Sequence, residues 1–183
     1  AAQKVTFVPL VGGVGRVRME LHANSLAESL SRIYDGKFVP LHAPARVSSR
    51  NIRDELLKED SLLPAIYLTQ KLDIAVVGIG YPNEKSAIMA TGYFKENEIE
   101  SLIDRKVAGE LCMQFYDIYG DTAPYKDDNN VIGMDISMLR SVPRSIGIAG
   151  GVEKLRAVRG AINGHYINTL ITDIECAEAL ISE

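Results

Sequence analysis

Apolar positions along the chain fall into short runs and helical stripes that take turns. Lys4 to Leu10 is a Val- and Phe-bearing run that ends at Gly12, Gly13 and Gly15, the pattern of a buried strand and its exit loop. Leu26, Leu30, Ile33 and Tyr34 then recur at helical spacing, with Gly36 as the stop. Lys37 to Leu41 reads as the next strand, closing at Pro44. Two helices are expected at about 49–58 and 61–71, each opened by a serine able to cap free amides, Ser49 and Ser61. Asp73 to Val77 is a β-branched run ending in Gly78-Ile79-Gly80, and Tyr81 to Tyr93 is loop-like. Glu98, Ile99, Leu102 and Ile103 mark a short helix, Glu110 to Tyr116 a further strand, and Asp117 to Asn130 a polar, turn-rich stretch where little is expected to pack. Ser145 to Ala149, Val152 to Ile162, Thr169 to Ile171 and Ile174 to Ile181 then alternate strand, helix, strand, helix. The fold class expected is α/β, a three-layer sandwich whose mainly parallel sheet is covered on both faces by helices, with ligands at the carboxyl ends of the strands.

Composition narrows this picture. With 183 residues, 46% of them hydrophobic, the chain suits a single folded domain, and no fixed-period repeat is present. A formal charge of -4 leaves no cationic excess for a phosphate backbone, so this segment by itself is not expected to bind DNA. Arg16 with Arg18, and Arg156 with Arg159, read as solvated helix faces. Cys112 and Cys176 are isolated, with no CxxC spacing and no secretory leader at Ala1, which points to a reduced, cytoplasmic setting. Every apolar run is broken by a charge or a glycine, so no membrane span is expected.

Three glycine loops follow expected strands, and all three should lie on one edge: Gly12-Gly13-Val14-Gly15, Gly78-Ile79-Gly80 and Gly150-Gly151. None completes a dinucleotide fingerprint, since Asn83 and Arg18 stand where a third glycine belongs, and no P-loop string occurs. Gly150 and Gly151, followed by Lys154, suit an anion site, because glycines let the chain approach a phosphate while the next helix offers free amides and a positive end. The plainer reading is a tight turn with a solvated lysine. Glu110 is a carboxylate at the start of an apolar strand, where it must face solvent, pair with a cation or accept hydrogen bonds, for instance from sugar hydroxyls. His22, His42 and His165 lack zinc spacing; of the three, His22 is the candidate for a pocket, and no metal or cofactor is expected. No Gly-x-Ser-x-Gly elbow supports hydrolysis, and Thr172-Asp173 reads as the cap of the last helix.

Taken in order, Phe7-Val8-Pro9 with Gly12-Gly13, His22-Ala23-Asn24, His42-Ala43-Pro44, Gly78-Ile79-Gly80, Ala149-Gly150-Gly151 with Lys154, and Ile171-Thr172-Asp173 resemble the sugar-binding domain of SorC-type transcriptional regulators along the whole chain. The resemblance implies a fold similar to that of glucosamine-phosphate isomerase, ribose-phosphate isomerase and coenzyme A transferase, used for sensing a sugar or sugar phosphate. It implies ligand contacts at His22, Glu110 and Lys154, with Gly78, Gly150 and Gly151 in the lining loops. It also implies a homo-oligomer, dimer or tetramer. Where the member that senses a glycolytic bisphosphate has an arginine, this chain has Val11, so a bisphosphate is not expected. Family members carry, ahead of the matching segment, a further strand and helix with a Gly-Thr-Thr loop and a helix-turn-helix DNA reader; the chain is accordingly expected to be a fragment that reaches DNA only through that absent reader.

Three readings follow. The first is an allosteric sensor that needs no turnover. The second is an aldose-ketose phosphate isomerase, with Glu110 as general base and Lys154 steadying an enediolate. The third is a dimerisation domain whose pocket takes no ligand.

Overall fold

The computed structural model describes residues 4–13, 22–83 and 92–182. Contacts divide the chain into two compact units, Ala1–Lys71 with Asn130–Met134, and Leu72–Asn129 with Asp135–Glu183.

In the first unit, β1 (Thr6–Phe7) pairs in parallel with β2 (Lys37–Phe38), joined through α1 (Ala23–Ile33). Asn24 fixes the start of α1 by bonding both ways with the backbone of Leu41, its amide donating to the carbonyl at 3.0 Å and its oxygen accepting the N–H at 2.9 Å. At the far end the reversal falls on Asp35, which holds φ 47°, rather than on Gly36. The apolar stripe read from the sequence faces out: Leu26, Leu30, Ile33 and Tyr34 are exposed, while Ala27 and Ser31 are buried. The helix lies against β1 and β2 with Ala27 and Ser31 as its buried side chains. Two helices follow, α2 (Arg50–Leu56) and α3 (Leu63–Thr69). Ser49 caps α2 as expected, accepting from the Ile52 amide at 3.3 Å, but Ser61 does not cap α3, which starts after Leu62 with Pro64 in its first turn. Leu41, Leu62, Ala65 and Ile132 form the core of this unit.

In the second unit three parallel strands lie in the order β3 (Ile74–Gly78), β6 (Arg144–Ile148), β7 (Thr169–Ile171). Between β3 and β6 the chain forms α4 (Glu96–Asp104), then β4 (Gly109–Leu111) and β5 (Gln114–Tyr116). After β6 come a single 3-10 turn (Val152–Lys154) and α5 (Leu155–Asn163); after β7 comes α6 (Ile174–Ser182). The mainly parallel α/β arrangement matches the reading of the sequence. Ala75, Val77 and Ser145 are buried, whereas Ile74, Val76, Ile148 and Ile171 on the alternate positions are exposed.

Two further expectations fail for local reasons. Glu110 to Tyr116 is not one strand but an antiparallel hairpin, reversed at Cys112 and Met113, whose φ values of 50° and 63° give the two left-handed residues of a type I′ turn. The polar stretch after it is packed: Tyr125, in a 3-10 helix (Ala123–Asp128), is buried 6.4 Å from the Phe115 ring, and Phe115 meets Phe94 edge-on at 5.3 Å. Residues 14–21, with Gly15, Arg16 and Arg18, and residues 84–91 of the expected loop lie outside the described residues. Among the described residues no helix is long and apolar enough to cross a membrane.

Candidate functional site

The carboxyl ends of β3, β6 and β7 carry the chemistry of the second unit. Beyond β3, the Ile79 amide continues the sheet by donating to the Ile148 carbonyl at 2.9 Å. Gly80 then bridges to Glu110 in both directions, Gly80 N–H to the Glu110 carbonyl at 3.0 Å and Glu110 N–H to the Gly80 carbonyl at 2.9 Å. Beyond β6, Gly151 turns the chain with φ 94°, and Lys154 swings back so that its ammonium donates to the Ile79 carbonyl at 3.0 Å. Glu110, Gly80, Ile79 and Lys154 are thus brought together from segments far apart in sequence.

The two oxygens of Glu110 do different work. Oε2 accepts the Met113 amide at 2.9 Å and so braces the left-handed turn of the hairpin. Oε1 lies against Gly80, close enough that a Cβ placed on that glycine would fall 1.9 Å from it. Burial pushes the Glu110 carboxyl up to about 7, with the Met113 amide and the Lys154 charge pulling the other way. Burial, with the Glu110 charge beside it, also drives the Cys112 thiol up to about 12, so that thiol is inert as a nucleophile. Tyr116 is raised chiefly by burial, and its hydroxyl donates to the Ala157 carbonyl at 3.0 Å.

Gly78 and the Gly150-Gly151 turn frame the same end of the sheet. A Cβ on Gly78 would meet nothing within 4 Å, so space is open there. The Gly151 amide is engaged by the Asp173 carboxylate. The other oxygen of Asp173 accepts from Cys176 N–H at 2.8 Å, capping α6, and these amides hold its carboxyl below the usual aspartate range. The cap is Asp173 alone, since Thr172 Oγ1 is buried without a hydrogen-bond partner. That hydroxyl lies instead beside a separate groove of about 510 Å³, lined also by Arg159, Leu170 and Leu180 and by none of the predicted site residues.

His22 belongs to the first unit, where its carbonyl accepts the Leu26 amide at 2.9 Å and its Nδ1 lies 3.8 Å from the place a Cβ on Gly13 would take. Gly12 and Gly13 of the first glycine loop belong to that unit as well, and Gly78, Gly80, Gly150 and Gly151 to the second. Among the described residues no group of three or more His, Cys, Asp or Glu could hold a metal ion. Sequence reasoning missed Gly80 and the Ile79 carbonyl as the hub of the site; the Gly-Ile-Gly string after β3 was the available signal.

A short parallel sheet with a half-buried carboxylate and an ammonium at its strand ends defines an α/β binding domain. Residues 1–182 match the family described as "Putative sugar-binding domain", and the chain belongs to that family. It is 30% identical over 181 residues to the sorbitol operon regulator of Klebsiella pneumoniae, covering 98% of this chain and 58% of that protein. It is 33% identical over 184 residues to the transcriptional regulator LsrR of Escherichia coli, covering 99% and 56%. The crystal structure of the full-length sorbitol operon regulator SorC from Klebsiella pneumoniae superposes with a TM-score of 0.89 at 31% identity, over 99% of this chain and 60% of that one. The likeness carries the three-layer α/β fold and the SorC-type resemblance. The chain spans less than two thirds of the length of these relatives, each of them named as a regulator.

Proposed function

We propose that the chain is the effector-binding part of a bacterial transcriptional regulator, sensing a sugar or sugar phosphate without turning it over. One observation carries the reading. Glu110 and Lys154, an acceptor for hydroxyls and a donor for anionic or hydroxyl oxygens, converge on the Ile79-Gly80 segment at the strand ends of a parallel sheet. The family membership and the regulators it resembles support the same assignment. In this reading the sugar binds one conformation of the whole regulator better than another, and that difference in affinity is what changes DNA binding through a separate reader. A cytoplasmic homo-oligomer fits this role.

A thermal-shift panel tests it, using sorbitol, sorbitol 6-phosphate, glucose 6-phosphate, fructose 6-phosphate and ribose 5-phosphate. A rise in melting temperature without product, lost in Glu110→Ala and Lys154→Ala, is the expected result. Isomerised product at a useful rate would replace the sensor with an enzyme, and no shift with any compound would favour a domain without a ligand.

A further inference from the structure

Two glycines follow one another closely at the end of β3, and the structure asks different things of them. Neither Gly78 nor Gly80 is among the described glycines with positive φ, so backbone conformation requires glycine at neither. Gly78 faces open space. At Gly80 the three nearest atoms to an added Cβ all belong to Glu110: Oε1 at 1.9 Å, Cδ at 2.7 Å and Cγ at 3.0 Å. What excludes a side chain at Gly80 is the carboxylate itself, beside which Lys154 gives its ammonium to the carbonyl of the residue before Gly80. The backbone of Gly80 is also tied to Glu110 by two hydrogen bonds, so the glycine fixes both the height of the hairpin and the room its acid occupies.

We propose that Gly80 is a positioning residue of the effector site, its bare Cα being what lets the Glu110 carboxylate lie against the strand end near Lys154 with Oε1 turned to the ligand. This rests on the sugar-sensing reading above. A methyl group at this place drives the Glu110 side chain outward, away from the desolvated position, while the two backbone bonds remain. The groups facing Glu110 are Lys154 from the turn after β6, and Cys112 and Tyr116 from its own hairpin. Of these only Lys154 is charged near neutral pH, so the environment of the carboxylate changes in one direction when it leaves: toward water.

The test is a carbon-13 NMR titration of the glutamate carboxyls in the sugar-free protein, with Glu110→Gln assigning the signal. In the parent protein the Glu110 signal is expected to titrate near 7. In Gly80→Ala that midpoint falls toward the ordinary value of 4.5, with the circular dichroism spectrum unchanged. A midpoint that stays near its parent value overturns the proposal. If Gly80→Ala does not fold, melting of Glu110→Ala and the double variant decides. Gly80→Ala costs little once Glu110 is truncated, and an undiminished cost in that background overturns the idea equally. Any panel compound that binds the parent should bind Gly80→Ala on the order of tenfold or more weakly, the worth of one hydrogen bond to a charged group. Full affinity in that variant refutes the positioning role, whereas no binding by the parent refutes the sugar reading and leaves the titration to judge Gly80.

Discussion

Replacing Glu110 by glutamine removes a charge that the fold holds at a cost, and the cost can be worked out. The carboxyl stands raised from the ordinary 4.5 to about 7, mainly through burial. A group raised in this way favours the folded state while protonated, at pH below its unfolded value. That contribution is lost as pH rises through the folded value, beyond which the ionised carboxylate is a fixed penalty. At about 1.4 kcal/mol per pKa unit the penalty near pH 8 is roughly 3 kcal/mol. Glutamine keeps an oxygen for the Met113 amide, whose bond to Glu110 is 2.9 Å long, so the hairpin turn survives. Its amide N–H groups then face Gly80 and lose solvent, at about 1 kcal/mol. Glu110→Gln should therefore be more stable than the parent by about 2 kcal/mol near pH 8, roughly 4–8 °C in melting temperature for a chain of this size. The gain should vanish or change sign near pH 5. Paired thermal melts across this range test it. A variant no more stable at the alkaline end, or one with the same gain at both ends, would refute the assignment of a desolvated carboxylate here.

Other substitutions probe the neighbouring parts. Lys154→Met should raise the Glu110 titration further, because the opposing positive charge is gone, and should weaken phosphosugars more than free sugars in calorimetry. Asp173→Ala frees the Gly151 amide and uncaps α6. Its carboxyl is held below the usual range, so its contribution is present above the unfolded value of ~3.9 and lost as pH falls through the lower folded value; the loss in melting temperature should be full near pH 7 and close in acid. Gly120→Ala combines φ 80° with a Cβ placed 2.2 Å from the Gly164 Cα, and a loss of more than ~2 kcal/mol in urea unfolding is expected.

The parts of the fold that were legible in the sequence share one property: their pattern is local. The run from Asp73 to Val77 and the alternation after Ser145 declare themselves because burial repeats at strand or helix spacing within a few residues. The hairpin at Glu110 did not, because its turn is built from Cys112 and Met113 rather than Gly or Asn. What holds those residues at positive φ is a side-chain contact, Glu110 to the Met113 amide, that no propensity encodes. The outward stripe of α1 marks a related limit, since periodicity shows that a helix has an apolar side but not whether the chain covers it. At the candidate site, Glu110 and Lys154 could be picked out as residues, yet their meeting at Ile79-Gly80 depends on the order of parallel strands, which lies beyond any local pattern.

That meeting also shifts weight within the anion end as the sequence suggested it. Glycine amides at a turn attract anions because they are unpaired, and the Gly151 amide is paired already, with the carboxylate of Asp173. A phosphate arriving at this turn would meet a resident negative charge instead of a vacant donor. Lys154 is placed differently. An ammonium has three donors, and one goes to the Ile79 carbonyl, which leaves two for a ligand oxygen without dismantling the turn. The physical consequence is that discrimination between phosphorylated and free sugars should rest on Lys154, with Asp173 acting against the anion. Asp173→Asn, which removes the charge and keeps one oxygen, enough for the Cys176 cap but not for the Gly151 amide as well, should then raise affinity for sugar phosphates and leave that for free sugars unchanged. If both classes respond alike in calorimetry, the phosphate does not lie near this turn.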